Sequence, residues 1–144
     1  MQKSVSCGVI ITDKKVVLAL QPYGKKKKRD LPKGRQEPGE SYIQAAIREA
    51  REETSLNLKG ELLIDIGHFN YTQEKDVHLF LCIMENLPEI SSLKCESTFM
   101  NDYGKEVPEA VAFEYVSFRD PRFYTGLQPI LALIEETFNE DNDN

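Results

Sequence analysis

The stretch from Gly34 to Leu56 restricts this chain more than any other. Pro32, Gly34, Pro38 and Gly39 punctuate its beginning so heavily that a loop is expected there. Ser41 is a good N-cap, and the pattern predicts a helix from there to about Thr54. Ile43, Ala46, Ile47 and Ala50 fall at i, i+3, i+4 and i+7, which makes one apolar stripe for a core. Glu49, Glu52 and Glu53 fall at i, i+3 and i+4, so their carboxylates share a second, distinct face. Like charges so placed repel by a few tenths of a kcal/mol per pair in water, and by more where partly buried. A solvated acidic face is the common outcome of such a run. A hard divalent cation is the alternative, and Mg²⁺ or Mn²⁺ suits a carboxylate cluster that leaves room for phosphates and water. Arg48, one turn before Glu52, can hold one carboxylate in place.

The rest of the chain reads as strands closed by a second helix. Ser4 to Thr12 and Val16 to Gln21 are rich in Val, Ile and Leu around an Asp13-Lys14 turn. Pro22-Tyr23-Gly24 breaks the second strand and opens a basic loop, Lys25 to Arg29. Leu62 to Tyr71 and Val77 to Met84 flank a turn, Glu85 to Lys105 has no clear period, and Ala110 to Phe118 is a late strand. Leu127, Ile130, Leu131, Ile134 and Phe138 mark one side of a closing helix, with Pro129 tolerable in its first turn. A helix in the middle of mixed strands and another at the end suggest a sheet covered on both faces, an α/β (α+β) architecture. One domain over residues 1–138 is expected, with 139–144 as a frayed, acidic polar tail.

Bulk properties exclude some classes. With 144 residues and a net charge of −6, the chain is one domain with no global field to attract nucleic acid. No apolar run approaches the roughly 20 residues that cross a bilayer, so no membrane partner is expected. The N-terminal stretch lacks a small-residue cleavage site and a long apolar region, so no signal peptide is read there. Cys7, Cys82 and Cys95 form no CxxC and leave an odd one over, which favours free thiols in a reducing, cytoplasmic setting. His68 and His78 lack metal-ligand spacing and are expected to be surface or satisfied strand residues.

The wider spacing decides between the two outcomes for the acidic stripe. Gly34 is followed by five residues and Glu40, then seven residues and Arg48-Glu49-Ala50-Arg51-Glu52-Glu53-Thr54-Ser55-Leu56. This resembles the Nudix box, with eight of nine specified positions matched and Ser55 standing where the family has glycine. That glycine serves the turn leaving the helix, and serine can take a left-handed turn at modest cost. The resemblance implies a Nudix-type α/β/α sandwich with a mixed central sheet and a catalytic loop–helix–loop. It implies that Glu49 and Glu53 ligate metal, that Glu52 ligates or holds a bound water, and that the Gly34 carbonyl is a further ligand. Arg48 and Glu40 would fix the helix and loop. Glu109, just ahead of the late strand, resembles the glutamate some members use as general base, with Glu106 and Glu114 in reserve.

The resemblance also implies metal-dependent hydrolysis of a phosphoanhydride bond in a nucleoside-diphosphate-linked substrate, with Mg²⁺ or Mn²⁺ as cofactor. Leu31-Pro32-Lys33-Gly34 and Glu37-Pro38-Gly39-Glu40 look like the branch that cleaves dinucleoside polyphosphates such as diadenosine tetraphosphate. RNA 5′-pyrophosphohydrolases share much of this pattern, so an RNA 5′ end stays open as an alternative. So do diphosphoinositol polyphosphates, nucleoside-diphosphate sugars such as ADP-ribose, and a non-catalytic nucleotide-sensing module. Lys33 is a reasonable phosphate contact, as are Lys27, Lys28 and Arg29 of the basic loop. Phe69, Tyr71, Tyr115 and Tyr124 are candidates for stacking a base; core packing suits most of them, and Tyr71 and Tyr124 least. Monomer and homodimer both stay open.

Overall fold

The computed structural model describes residues 3–142. Strand β1 (Ser4–Thr12) occupies the middle of the main sheet, and its central residues Cys7, Val9, Ile10 and Ile11 are fully buried. A continuous apolar run of this kind can be buried on both faces, and both faces are covered here. Across the sheet the order is β4 (Leu63–Asn70), β5 (Lys75–Ile83), β1, β2 (Val17–Pro22) and β8 (Ala110–Val116), with β1 and β5 parallel and the other pairs antiparallel.

Near the site the sheet forks. β1 meets β2 only at Thr12↔Val17, while its other half pairs with the short β3 (Lys33–Arg35) through Cys7↔Gly34. The punctuated segment expected to be loop therefore contributes three strand residues. Their ladder ties the box glycine to the most buried strand.

Helix α1 (Tyr42–Thr54) lies on one face of the sheet and α2 (Gln128–Asn142) on the other. Ser41 caps α1 reciprocally: its Oγ accepts from the Gln44 N–H at 3.2 Å, and the Gln44 side chain accepts from the Ser41 N–H at 2.9 Å. At the other end Ser55 sits at φ 70°, with its N–H on the Arg51 carbonyl (2.8 Å) and its Oγ on the Lys94 carbonyl (2.6 Å). The serine thus takes the left-handed turn expected of it, and a hydrogen bond offsets part of the strain.

The core face of α1 differs from the predicted stripe. Ala45, Ala46 and Ala50 are fully buried, whereas Ile43 and Ile47 lie at the rim. The helix is rotated so that its buried face also takes in Glu49 and Glu53. Small alanines let the backbone approach the sheet and carry those carboxylates inward.

Two other expectations are corrected. The closing helix does not end near Phe138: α2 runs to Asn142, since extending a formed helix costs far less than nucleating one; 143–144 lie outside the described residues. The 85–105 excursion contains a hairpin strand, β6 (Thr98–Met100), paired with β7 (Glu106–Pro108). His68 and His78 are cross-strand partners whose Nδ1 atoms lie 3.3 Å apart, with Nε2 atoms on Asp76 and Asp65 at 3.0 and 2.8 Å. They are satisfied strand residues, as expected, but not isolated ones. All three cysteines are free. Among the described residues no helix is long and apolar enough to cross a membrane.

Candidate active site

The last turns of α1 and the β3 backbone build a compact acidic centre. Glu49 and Glu53 are 8% and 6% exposed, which is rare for carboxylates. The Glu49 carboxylate lies directly against Gly34, where any Cβ would overlap it. Only glycine lets the strand and this carboxylate approach so closely. Glu53 accepts the Lys33 backbone N–H at 3.1 Å. Burial, then the neighbouring Glu49 and Asp30, push its carboxyl up to about 10, and Glu109 adds to the effect. Glu49 is also raised, first by burial; Arg48 opposes this, while Glu52 and Glu109 reinforce it.

Arg48 organises the surroundings. Its Nε and Nη2 grip both oxygens of Glu40 at 2.7 and 2.9 Å, its Nη1 reaches Glu49 at 2.9 Å and Glu52 at 3.2 Å, and Nη2 also donates to the Arg35 carbonyl at 3.0 Å. This pairing holds Glu40 well below the usual carboxylate range. One guanidinium thus joins the loop, the helix and two of the acidic groups.

Among the described residues no three carboxylate, imidazole or thiolate groups converge on one point that could seat an ion. Glu49 is turned to Arg48, and Glu53 to the Lys33 amide. The donor chemistry nonetheless fits a hard divalent cation. Glu53 is a buried carboxylate that makes no ion pair among the described residues, and three further acidic groups act on it electrostatically. A cation taking oxygen ligands relieves that repulsion once the side chains turn toward it.

Glu109 lies between β7 and β8, exposed, with its carboxylate accepting from Ser97 Oγ at 3.3 Å. Its charge adds to the upward push on both Glu49 and Glu53, in which burial is the largest cause. The two reserves do not share this position. Glu106 is bound to Thr98 Oγ1 across the hairpin (2.7 Å). Glu114 is paired with Arg29 and Arg122, each at 2.6 Å.

Arg29 requires a correction. It is 8% exposed, and besides Glu114 it binds the carbonyls of Lys26 and Lys28 at 2.9 and 2.7 Å. It is the buried strut of the basic loop, unavailable as a free substrate contact. Lys27 and Lys28 are exposed, and both border a cavity of about 730 Å³.

Lys33 borders a second cavity of about 400 Å³, together with Asp30, Tyr71 and Tyr124. Its Nζ is 3.3 Å from Asp30 Oδ2 and 5.2 Å from the centre of the Tyr71 ring. Burial pulls the Lys33 ammonium down, but Asp30 chiefly, then Tyr71 and Glu53, carry it above its ordinary value. Burial pushes Asp30 up, against Lys33. Tyr71 is wedged against Gly126, where a Cβ would strike the ring. Phe69 packs on the core, and Tyr115 is tied to the Pro88 carbonyl, so neither is free to stack. Sequence reasoning passed over Asp30 and Tyr23. Asp30 stands three residues before Lys33, but that spacing carries no direction in a stretch read as irregular.

The NUDIX domain model matches residues 2–132. The chain belongs to the Nudix hydrolase family. A relative in Enterobacteria phage T4, an uncharacterized 17.7 kDa protein in the e-segB intergenic region, is 36% identical over 124 residues, 79% of this chain and 82% of its own length. Solved Nudix folds superpose on this one. A bifunctional NMN adenylyltransferase/ADP ribose pyrophosphatase from Francisella tularensis, complexed with AMP and a Mn ion, has a TM-score of 0.69 at 20% identity; 94% of this chain is covered and 42% of that one. A C. elegans Ap4A hydrolase binary complex has a TM-score of 0.66 at 20% identity, covering 95% of this chain and 98% of that one. This Nudix chain therefore spans less than half of the bifunctional protein and nearly all of the Ap4A hydrolase. At these identities the likeness shows the fold.

Proposed function

We propose that this Nudix hydrolase cleaves a phosphoanhydride bond in a nucleoside-diphosphate-linked substrate, and that the substrate class is a dinucleoside polyphosphate such as diadenosine tetraphosphate. The observation that carries the reading is the buried pair Glu49 and Glu53, Glu49 lying against Gly34 and Glu53 pushed up first by burial and then by Glu49, Asp30 and Glu109.

Glu49 and Glu53, with Glu52 directly or through water and the Gly34 carbonyl, would hold Mg²⁺ or Mn²⁺. Such a cation neutralises phosphate charge and lowers the pKa of water. Glu109 takes the proton of the attacking water, since an exposed carboxylate beside the cluster can exchange that proton with solvent. Arg48 keeps Glu49 and Glu52 aimed by tying them to Glu40. Lys33, Lys27 and Lys28 bind phosphates, and Tyr71 and Tyr124 supply ring faces beside them. The three free cysteines suit a reducing, cytoplasmic setting.

The test is a substrate panel with Mg²⁺ and with Mn²⁺: diadenosine polyphosphates, triphosphorylated RNA, ADP-ribose and diphosphoinositol polyphosphate, with products identified. The expected result is fastest cleavage of a diadenosine polyphosphate to mononucleotides. Faster release of pyrophosphate from RNA, or faster cleavage of ADP-ribose, overturns the substrate class and leaves the chemistry in place.

A further inference from the structure

The two cavities share a wall. Tyr124 and Lys25 line both the smaller one, which holds Asp30, Lys33 and Tyr71, and the larger one, which holds Tyr23, Lys28 and Val111. Each includes a residue linked to the acidic centre. Asp30 acts on Glu53 from the first, and the Tyr23 backbone N–H binds the Glu109 carbonyl (3.0 Å) beside the second.

The larger hollow has the makings of a ring site. At about 730 Å³ it is within the range of small-molecule pockets. Tyr23 is steadied edge-on by Phe99, with ring centres 5.8 Å apart at 79°. Lys25 and Lys28 each hold their Nζ 5.7 Å from the centre of the Tyr124 ring. Val111 and Tyr23 are exposed apolar side chains, 45% and 37% accessible, facing a run of four consecutive lysines. Aromatic walls with ammonium groups over one of them match a stacked ring joined to phosphates.

We infer that this hollow takes the second aromatic ring of a substrate whose two ring-bearing ends are joined through phosphates. The first ring occupies the Tyr71 cavity, and Lys25 at the shared wall meets the phosphates between them. The inference rests on the hydrolase reading of the Glu49–Glu53–Glu109 centre, and it adds where the non-leaving bulk of such a substrate is held. A single-ring nucleotide leaves the Tyr23 side unused.

The test compares diadenosine tetraphosphate with adenosine 5′-tetraphosphate, which has the same phosphates and one ring, by calorimetric binding in EDTA. The wild-type protein is expected to bind the two-ring compound about tenfold more tightly, the scale of one base stacked on an aromatic side chain. Tyr23→Leu keeps bulk against Phe99, and Val111→Trp fills the hollow from an exposed strand position. Both variants should cut that preference to below about threefold while leaving the Kd of adenosine 5′-tetraphosphate unchanged. Equal wild-type affinity for the two compounds overturns the inference, as does an equal effect of the variants on both, or no effect. If the preference and its loss are observed but neither compound is hydrolysed with Mg²⁺, the hydrolase reading fails and the two-ring site stands.

Discussion

Arg48 grips Glu40 through both carboxylate oxygens, at 2.7 and 2.9 Å, across eight residues of sequence. The pair fastens the Glu37–Glu40 loop to α1, and the same guanidinium reaches Glu49 and Glu52. Lysine keeps the charge but cannot form the fork. Arg48→Lys should lower stability by about 2 kcal/mol, the worth of hydrogen bonds to a charged group, and reduce turnover by tenfold or more. Urea unfolding and steady-state kinetics on one preparation check both. Unchanged stability would mean that the pair is incidental.

Glu53 gives a pH dependence whose sign can be worked out. Its carboxyl has an ordinary value of 4.5 and is raised to about 10 in the fold. Between those limits the unfolded chain is ionised and the folded one holds a proton, so this group's contribution to stability is present below 4.5 and is lost as pH rises toward 10. In EDTA the Tm of Glu53→Gln should therefore exceed that of the wild type at pH 8, and the two should converge at pH 4. Added Mn²⁺ should raise the wild-type Tm more at pH 8 than at pH 6, because ligation needs the carboxylate deprotonated. A gap between the two proteins that is constant with pH would refute this account of Glu53.

Gly34→Ala places a methyl group on the Glu49 carboxylate. Either the strand or the carboxylate must move, and Cys7↔Gly34 pairing holds the strand. Affinity for Mn²⁺, measured by electron paramagnetic resonance, should fall at least tenfold, with a stability loss of about 1–3 kcal/mol. Wild-type affinity would show that Glu49 is not needed where it stands.

Two neighbours in the basic loop should behave oppositely. Arg29→Ala removes a buried charge from Glu114 and from two carbonyls, at a cost of about 3 kcal/mol. Lys27 is exposed, and Lys27→Ala should change stability by less than about 0.5 kcal/mol. Thermal denaturation of both variants decides it.

Local order was the most legible part of the sequence. Ser41 and the helix to Thr54 follow from caps and period, which are short-range effects, while the left-handed Ser55 followed from the resemblance to the Nudix box. The sandwich followed from the same patterns, because apolar stripes need partners. The rotation of α1 was not legible: Ile43 and Ile47 looked like core, and only the close fit of Ala45, Ala46 and Ala50 to the sheet turns Glu49 and Glu53 inward. Arg29 and Glu114 were misplaced for a related reason. They are separated by 85 residues, and nothing in either segment announces a pairing set by the β2–β8 register. Asp30 is placed by a backbone bridge to Leu20 and Tyr23 by its N–H on the Glu109 carbonyl, tertiary contacts that leave no period behind.

The central claim is metal-dependent phosphoanhydride cleavage at the α1 carboxylates, and turnover of diadenosine tetraphosphate by wild type and Glu53→Gln, with Mg²⁺ and with EDTA, tests it most directly. Glutamine keeps the shape and removes the ligand charge. The account predicts that EDTA abolishes wild-type turnover and that the variant with Mg²⁺ retains less than about one hundredth of it, the scale of losing a group that acts on the transition state. Variant turnover within tenfold of wild type, or wild-type turnover that survives EDTA, would contradict it.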